Sequence, residues 1–334
     1  MNRPAFLMPA LLTLALLAPA ARAQSADTAA ELETLTVSGE QPGPGLWALR
    51  HGDHSLWMLA TVAPVPKDLK WRSRQLEAVI ARSQVVIAPP VVDLDASEIG
   101  FFQKISMVAT LVKSAVLPGK QTLADVLPPA LAARWSTLRQ RYAPRSKSLD
   151  SARPLFAGIV LNEKAMERAG LDANRDLWED VRKLAKRHKT TLREPQILLP
   201  LKDPKALLAE FASTPPAADV PCLDAVLARL ETQLPQLQQQ GVAWATGDIE
   251  TLLRLPPDPL DGACLIGITG TPRLAALYQE GLRRWRLEWV LAAEGALLRN
   301  TSSLAVLPLE EVIGPQGLVT QMVARGYTLV EPQH

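Results

Sequence analysis

Two short stretches, one near each end of the chain, show the same order of hydrophobic and polar positions. In the first, an apolar run at 55–62 precedes a Pro-containing loop at 63–67 and a segment with apolar residues spaced three and four apart. Residues 84–87 then return to strand composition. Short apolar runs predict buried strands, and the spacing between them predicts an amphipathic helix. The sequence therefore predicts a strand, a loop, a helix and a second strand.

The second stretch repeats this order over residues 303–330. An apolar run at 303–307 is bounded by Pro308, and the Gly-Pro-Gln-Gly sequence at 314–317 is typical of a turn that opens a helix. Gly326 stands where a helix takes a left-handed residue at its C-terminal end. The residues after it have strand composition, so a second unit of the same kind is predicted.

The spacing of apolar residues also predicts that the region between these units is mostly helical. Apolar residues at helical spacing run through 101–116 and through 272–300. The first of these faces is expected to belong to the core, with a groove as the alternative. The predicted fold class is α/β: two strand–loop–helix–strand units at the N- and C-terminal ends form a mixed sheet and bracket a large, mostly helical middle at roughly 95–300.

The position of any functional site follows from this architecture. In open α/β sheets, ligands bind outside the carboxyl ends of the strands. The loops at 61–67 and 307–314 are therefore expected to build the site.

A polar segment with the sequence His-Gly-Asp-His separates two strand-like runs at 45–50 and 55–59. Short polar residues around a glycine are typical of a hairpin turn. His51, Asp53 and His54 are also metal-ligating residue types, so they form a weaker candidate for a metal site. The turn is the preferred interpretation.

The N-terminus predicts export. Residues 1–23 contain an arginine, an apolar run and a small-x-small sequence that predicts cleavage of a signal peptide after Ala23. Residues 24–43 are expected to form a flexible lead-in, and 44–332 a single domain. The apolar run is short and interrupted by proline, so no stable membrane span is expected in the mature chain. The predicted localisation is periplasmic or secreted.

Charge and cysteine content narrow the classes of partner. The formal net charge is only +2, and basic and acidic residues are mixed along the chain, so no nucleic-acid-binding surface is predicted. Cys222 and Cys264 are the two cysteines. In an exported protein such a pair predicts a disulfide rather than a metal or redox site.

Several short motifs lie along nearly the whole length of the predicted mature chain. They are Ser55–Thr61, Trp71-Arg72, Leu76–Ile80, Arg153-Pro154, Ala169–Asp172, Ala243–Asp248, Gly314–Leu318 and Ala324–Thr328. In this order and spacing they resemble the TraB/GumN family, which includes the Tiki-type proteases. The resemblance implies the family's fold over the mature chain.

The chemistry that the resemblance implies depends on residues that this sequence lacks. The family's suspected site has Gly-Thr-x-His after the first strand, Gly-x-x-His after the last and a glutamate that ends the strand after the first helix. Such a set is able to hold a divalent metal and activate water. Here the first motif reads Ala60-Thr-Val-Ala63 and the second Pro308-Leu-Glu-Glu311. No glutamate lies around Ala88 and Pro89. The expected metal ligands are therefore missing.

Two functional hypotheses follow. The first is an exported pseudoenzyme without a cofactor, whose cleft binds a protein partner or a polysaccharide or other envelope ligand; a scaffold in envelope assembly is a variant of it. The alternative is a peptidase-like hydrolase that uses a divalent metal or carboxylates, with Glu311, Glu310 and Thr61 as candidate catalytic residues and carboxylates at 93–98 as helpers. Adjacent glutamates on a strand point to opposite faces, so at most one would face such a site.

Overall fold

The computed structural model describes residues 43–97, 99–255, 264 and 270–332. The predicted signal peptide and all but the last residue of the predicted lead-in lie outside the described residues. Glu98, one of the candidate carboxylates, also lies outside them.

The strands are numbered here in chain order. They are β1 (Leu46–His51), β2 (His54–Thr61), β3 (Val65–Pro66), β4 (Val85–Ile87), β5 (Val91–Asp95), β6 (Leu171–Asp172), β7 (Thr191–Arg193), β8 (Gln196–Pro200), β9 (Ser302–Pro308) and β10 (Thr328–Val330). In the described part of the chain, six strands form one sheet in the order β10-β1-β2-β9-β4-β7. β3 pairs with β6 and β5 pairs with β8 outside this sheet.

The helices are numbered in the same way. They are α1 (Arg74–Arg82), α2 (Phe101–Ser114), α3 (Leu123–Val126), α4 (Pro129–Tyr142), α5 (Pro154–Arg168), α6 (Leu177–Arg187), α7 (Pro204–Ser213), α8 (Val220–Thr232), α9 (Leu234–Thr246), α10 (Ile249–Arg254), α11 (Pro272–Arg299), α12 (Leu309–Ile313) and α13 (Leu318–Ala324). Two short 3₁₀ helices lie at Lys147–Ser151 and Pro216–Asp219. No helix among the described residues is long and apolar enough to cross a membrane.

Strands from the two ends of the chain are interleaved in the central sheet, with β9 between β2 and β4. β1 and β2 form the predicted antiparallel hairpin, with Gly52 and Asp53 at its turn. β2 runs parallel to β9, β9 runs parallel to β4, and β10 pairs antiparallel with β1. The predicted mixed sheet and helical middle are confirmed. The middle also contributes β7, which pairs in parallel with β4.

The central position of β9 follows from its sequence. Residues 303–307 are all buried, as expected for a mostly apolar strand that is covered on both faces. Helix α1 packs against β9 and buries Leu76, Val79 and Ile80, the residues that its spacing predicts. The hydroxyl of Ser73 accepts a hydrogen bond from the Leu76 backbone N–H at 3.1 Å and fixes the start of this helix.

Helix α6 packs beside α1 and ends at His188, which caps its C-terminus. Nε2 of His188 lies 3.1 Å from Oε1 of Glu77 on α1. This hydrogen bond, together with the neighbouring Arg187, holds the pKa of the Glu77 carboxyl below its ordinary value of 4.5. His188 therefore joins the two helices.

Two hydrophobic cores support these elements. The first surrounds the central sheet and contains the buried indoles of Trp244 and Trp289. The second lies among the helices of the middle and contains Trp135 and Cys222.

Helix α2 departs from the sequence prediction. It has no buried residue, and Phe101, Phe102 and Val112 are largely exposed. The prediction that this apolar face belongs to the core is therefore wrong. Periodicity shows which residues share a face, but tertiary contacts decide which way that face points.

Candidate functional site

A cavity of about 910 Å³, called the cleft below, opens at the carboxyl ends of the central strands. Both loops predicted from the sequence line it, through Thr61 and Ala63 at the end of β2 and through Pro308 and Glu311 at the end of β9. Pro89, just after β4, lines it as well. Because β2, β9 and β4 run in the same direction, their carboxyl ends meet at this edge of the sheet.

The other walls of the cleft are mostly apolar. They include Val92 and Leu94 from β5, Leu199 from β8, and Leu277, Tyr278 and Leu282 from α11. Two indoles complete these walls, and each is fixed by a hydrogen bond. Nε1 of Trp285 donates to the Pro90 carbonyl at 2.7 Å, and Nε1 of Trp178 donates to Oε1 of Glu194 at 3.2 Å. The cleft therefore presents a preformed apolar surface.

Glu310 and Glu311 lie on helix α12, not on a strand as predicted. The strand β9 ends at Pro308, and the chain then turns directly into the helix. Successive helical residues are only about 100° apart, whereas successive strand residues point to opposite faces. Both glutamates therefore line the cleft, and the expectation that at most one would reach it is wrong.

Both carboxylate oxygens of Glu311 are engaged within the protein. Oε1 accepts a hydrogen bond from Nη2 of Arg286 on α11 at 2.8 Å, and Oε2 accepts one from the backbone N–H of Leu318 at 3.0 Å. The side chain is 13% exposed. Leu318 is the first residue of α13, where a negative charge is favourable. Glu311 thus ties α11 to α13 through the oxygens that a general base would need.

We expect Glu311→Ala to lower the free energy of unfolding by about 2 kcal/mol, because it removes the charge-assisted hydrogen bond with Arg286 and the carboxylate that accepts from the Leu318 backbone N–H. Chemical denaturation measures the loss. Glu310→Ala is the matched control: this neighbour is exposed, and its replacement is expected to cost about 0.5 kcal/mol or less. Equal losses in the two variants would contradict the structural role assigned to Glu311.

Thr61, the third candidate catalytic residue, also supports the sheet. Its hydroxyl donates to the Leu307 carbonyl at 3.1 Å. Thr61 faces Pro308 in the register of β2 and β9, and proline has no backbone N–H to donate. The hydroxyl therefore adds a hydrogen bond at the end of the ladder, beside the cleft.

The carboxylates at the end of β5 do not line the cleft. Asp93 and Asp95 alternate along this strand with Val92 and Leu94, and the two apolar residues line the cleft. Alternate strand residues point to opposite faces, so the aspartates point elsewhere. They cannot assist a glutamate in the cleft from this position.

Arg175 and Asp176 also line the cleft, and neither is predicted from the sequence as a site residue. Nη2 of Arg175 donates to Oδ2 of Asp180 at 2.8 Å. Asp176 caps α6, and its carboxylate accepts from the Trp178 backbone N–H at 3.0 Å. An aspartate before an amphipathic helix is a recognisable cap. Its position in the lining of the cleft, however, depends on long-range packing.

The metal candidates His51, Asp53 and His54 lie at the end of β2 that is farther from the cleft. Nδ1 of His54 is 2.6 Å from the Leu297 carbonyl, and the ring of His51 is 5.5 Å from that of Tyr327, whose pKa is raised by burial. Asp53 is 91% exposed. In the described part of the chain, no group of three His, Cys, Asp or Glu residues is placed to hold a metal ion.

The sequence profile of the TraB/PrgY/gumN family matches residues 45–331. The chain belongs to this family. The match begins just before β1 and ends just after β10, so it includes the central sheet and the helical middle together. No curated protein and no solved structure matches the chain.

In this TraB/PrgY/gumN family member, three positions at which the resemblance implies site residues lie together in the cleft. The resemblance implies histidine at the positions of Ala63 and Glu311 and a glutamate near Pro89. All three line the cleft. At these three positions the cleft presents a methyl group, a pyrrolidine ring and a carboxylate that is engaged by Arg286 and Leu318.

Proposed function

We propose that this protein is an exported, non-catalytic member of the TraB/PrgY/gumN family whose cleft binds an apolar ligand or the apolar part of an envelope component. The supporting observation is a preformed, largely apolar cleft in which Thr61 and Glu311 are engaged in structural hydrogen bonds. Clefts of several hundred Å³ with apolar walls are typical of small-molecule sites. No cofactor takes part in this function.

The expected context of this binding is the periplasm or the cell exterior. The signal peptide predicted at residues 1–23 supports export. The physiological ligand is then a component of the envelope, such as an acyl chain or an apolar segment of a protein or polysaccharide conjugate. A scaffold role in envelope assembly uses the same cleft with a protein as its occupant.

We expect Nile red, a neutral apolar dye, to bind in the cleft and Leu277→Trp to weaken this binding by about tenfold or more. The larger side chain fills space between α11 and β5 that the dye would occupy. Dye fluorescence titrated against protein concentration gives the dissociation constant. A thermal unfolding curve confirms that the variant is folded.

Leu298→Trp is the matched control, because Leu298 lies on the same helix but is exposed outside the cleft. Its dissociation constant is expected to stay close to that of the unmodified protein. Equal affinities of the two tryptophan variants would contradict binding in the cleft. A near-stoichiometric divalent metal in protein purified without chelator would contradict the absence of a cofactor.

A hydrolase remains the second candidate, because Glu310 and Glu311 both line the cleft. In that function Glu310, which is exposed in the lining of the cleft, is the general base, and Glu311 holds Arg286 and Leu318 in place. It requires turnover of a peptide substrate that Glu310→Gln abolishes while leaving the unfolding curve unchanged. Turnover of that kind would replace the binding function with the catalytic one.

A further inference from the structure

Helix α2 presents an apolar face to the outside of the molecule. Its outward residues are Phe101, Phe102, Ile105, Val108, Leu111 and Val112, with exposed fractions from 44% to 84%. None of the 14 residues of the helix is buried. Soluble proteins rarely expose a contiguous apolar surface of this kind unless something covers it.

The orientation of α2 is the reverse of an ordinary surface helix. The residues turned toward the protein are Gln103, Met107, Thr110 and Ser114, which recur at helical spacing and are partly buried. Three of these four are polar, whereas a surface helix normally turns its apolar side to the core.

The ends of α2 are anchored, so this orientation is fixed by the fold. Ile99 before the helix and Leu117 after it are both buried. The Ala115 carbonyl accepts from the Arg153 backbone N–H at 2.9 Å, and the Leu117 N–H donates to the Ser151 carbonyl at 2.8 Å. Helix α7 packs along α2 as well. The apolar face therefore stays outward, while Ile99 before the helix is buried and Leu117 after it belongs to the second core.

The charges on α2 identify the kind of surface that fits this face. The helix carries Lys104 and Lys113, both exposed, and no acidic residue. At about 100° per residue, the two lysines lie roughly 70–110° to either side of the centre of the apolar face. Lysines placed in this way can lay their alkyl stems along an apolar layer while the ammonium groups reach a polar one.

We propose that α2 docks this protein onto an anionic lipid surface and lies in the plane of the interface. The outward apolar residues enter the boundary between headgroups and acyl chains, and Lys104 and Lys113 contact the phosphates on either side. A protein groove that covered the apolar face would not need cations on both flanks. This docking is independent of the function proposed for the cleft.

Vesicle flotation with the full chain tests the proposal. The protein is expected to float with phosphatidylcholine vesicles that contain phosphatidylglycerol, and to float much less with phosphatidylcholine alone. Ile105→Asn/Val112→Asn is expected to weaken binding by about tenfold or more, since it removes apolar contact with the acyl layer. Lys104→Gln/Lys113→Gln is expected to weaken binding to the anionic vesicles about 25-fold, or about 5-fold for each lysine.

The matched control is Leu291→Asn/Leu298→Asn, which changes two exposed apolar residues of α11. It is expected to float like the unmodified protein. The proposal is overturned if the unmodified protein stays with neither kind of vesicle, or if the α2 variants float as well as the control. The proposal is also overturned if the unmodified protein is a dimer that binds no vesicles and if Ile105→Asn/Val112→Asn dissociates this dimer. In that case α2 would join two copies of the chain.

Discussion

Replacing Arg153 by alanine is expected to lower the free energy of unfolding by about 3–5 kcal/mol. Nε and Nη2 of Arg153 donate to the two carboxylate oxygens of Asp219 at 2.8 and 3.0 Å. The exposed fractions of these side chains are 3% and 0%. The substitution leaves the Asp219 carboxylate buried without its cation, which costs more than the attraction that is lost.

Urea unfolding followed by circular dichroism measures this effect. Arg134→Ala is the matched control, because Arg134 also pairs with two carboxylates, Asp224 and Glu231, but on the surface. Exposed ion pairs contribute only about 0–1 kcal/mol. Arg153→Met/Asp219→Leu removes both buried charges and is expected to recover part of the loss. Similar losses in the free energy of unfolding for Arg153→Ala and Arg134→Ala would contradict the expectation that breaking the buried pair costs more than breaking the exposed ones.

Elements whose ends carry a local chemical signal could be predicted from the sequence. Ser73 caps α1, Gly52 takes a positive φ of 60° in the hairpin turn, and Gly326 takes one of 97° just after α13. Each of these signals acts within a few residues of chain, so the sequence contains the whole interaction. The type and order of the elements around these residues could therefore be predicted correctly.

The cleft could be located from the sequence, but its walls could not be recognised. Its place at the strand ends follows from the topology of β2, β4 and β9. Leu277, Leu282 and Trp285 line it, while Trp289 and Ala293, farther along the same helix, are buried in the core. Trp285, Trp289 and Ala293 recur every four residues, so one helical pattern runs through both sets. A hydrophobic pattern does not distinguish a filled space from an open one, because that depends on elements distant in sequence.

The sequence does not predict helix α12, because the helix is short. It has five residues between Pro308 and Gly314, too few to separate a period of two from a period of 3.6. The period of a strand would place the side chains of Glu310 and Glu311 on opposite faces. The contact of Glu311 with Arg286 spans 25 residues of sequence, and no local pattern encodes it.

Removing the disulfide between Cys222 and Cys264 is expected to lower the free energy of unfolding by about 4 kcal/mol. The sequence predicted this pair, and the structure places the two sulfur atoms in a bond at 2.08 Å. The residues are 42 positions apart, and a cross-link over a loop of this size restricts the unfolded chain. Cys222 is fully buried on α8 in the second core, so the cross-link fixes the chain at Cys264 to that core.

Denaturation of oxidised and reduced protein, with and without dithiothreitol, measures this loss without changing any side chain. Cys222→Ala/Cys264→Ala separates the effect of the cross-link from that of packing. This variant should match the reduced protein closely, apart from the lost contacts of the buried Cys222 sulfur, and should not respond to dithiothreitol. If the oxidised and reduced proteins unfold at the same urea concentration, the cross-link adds nothing to stability. The second core would then depend on its apolar contacts and on the Arg153–Asp219 pair.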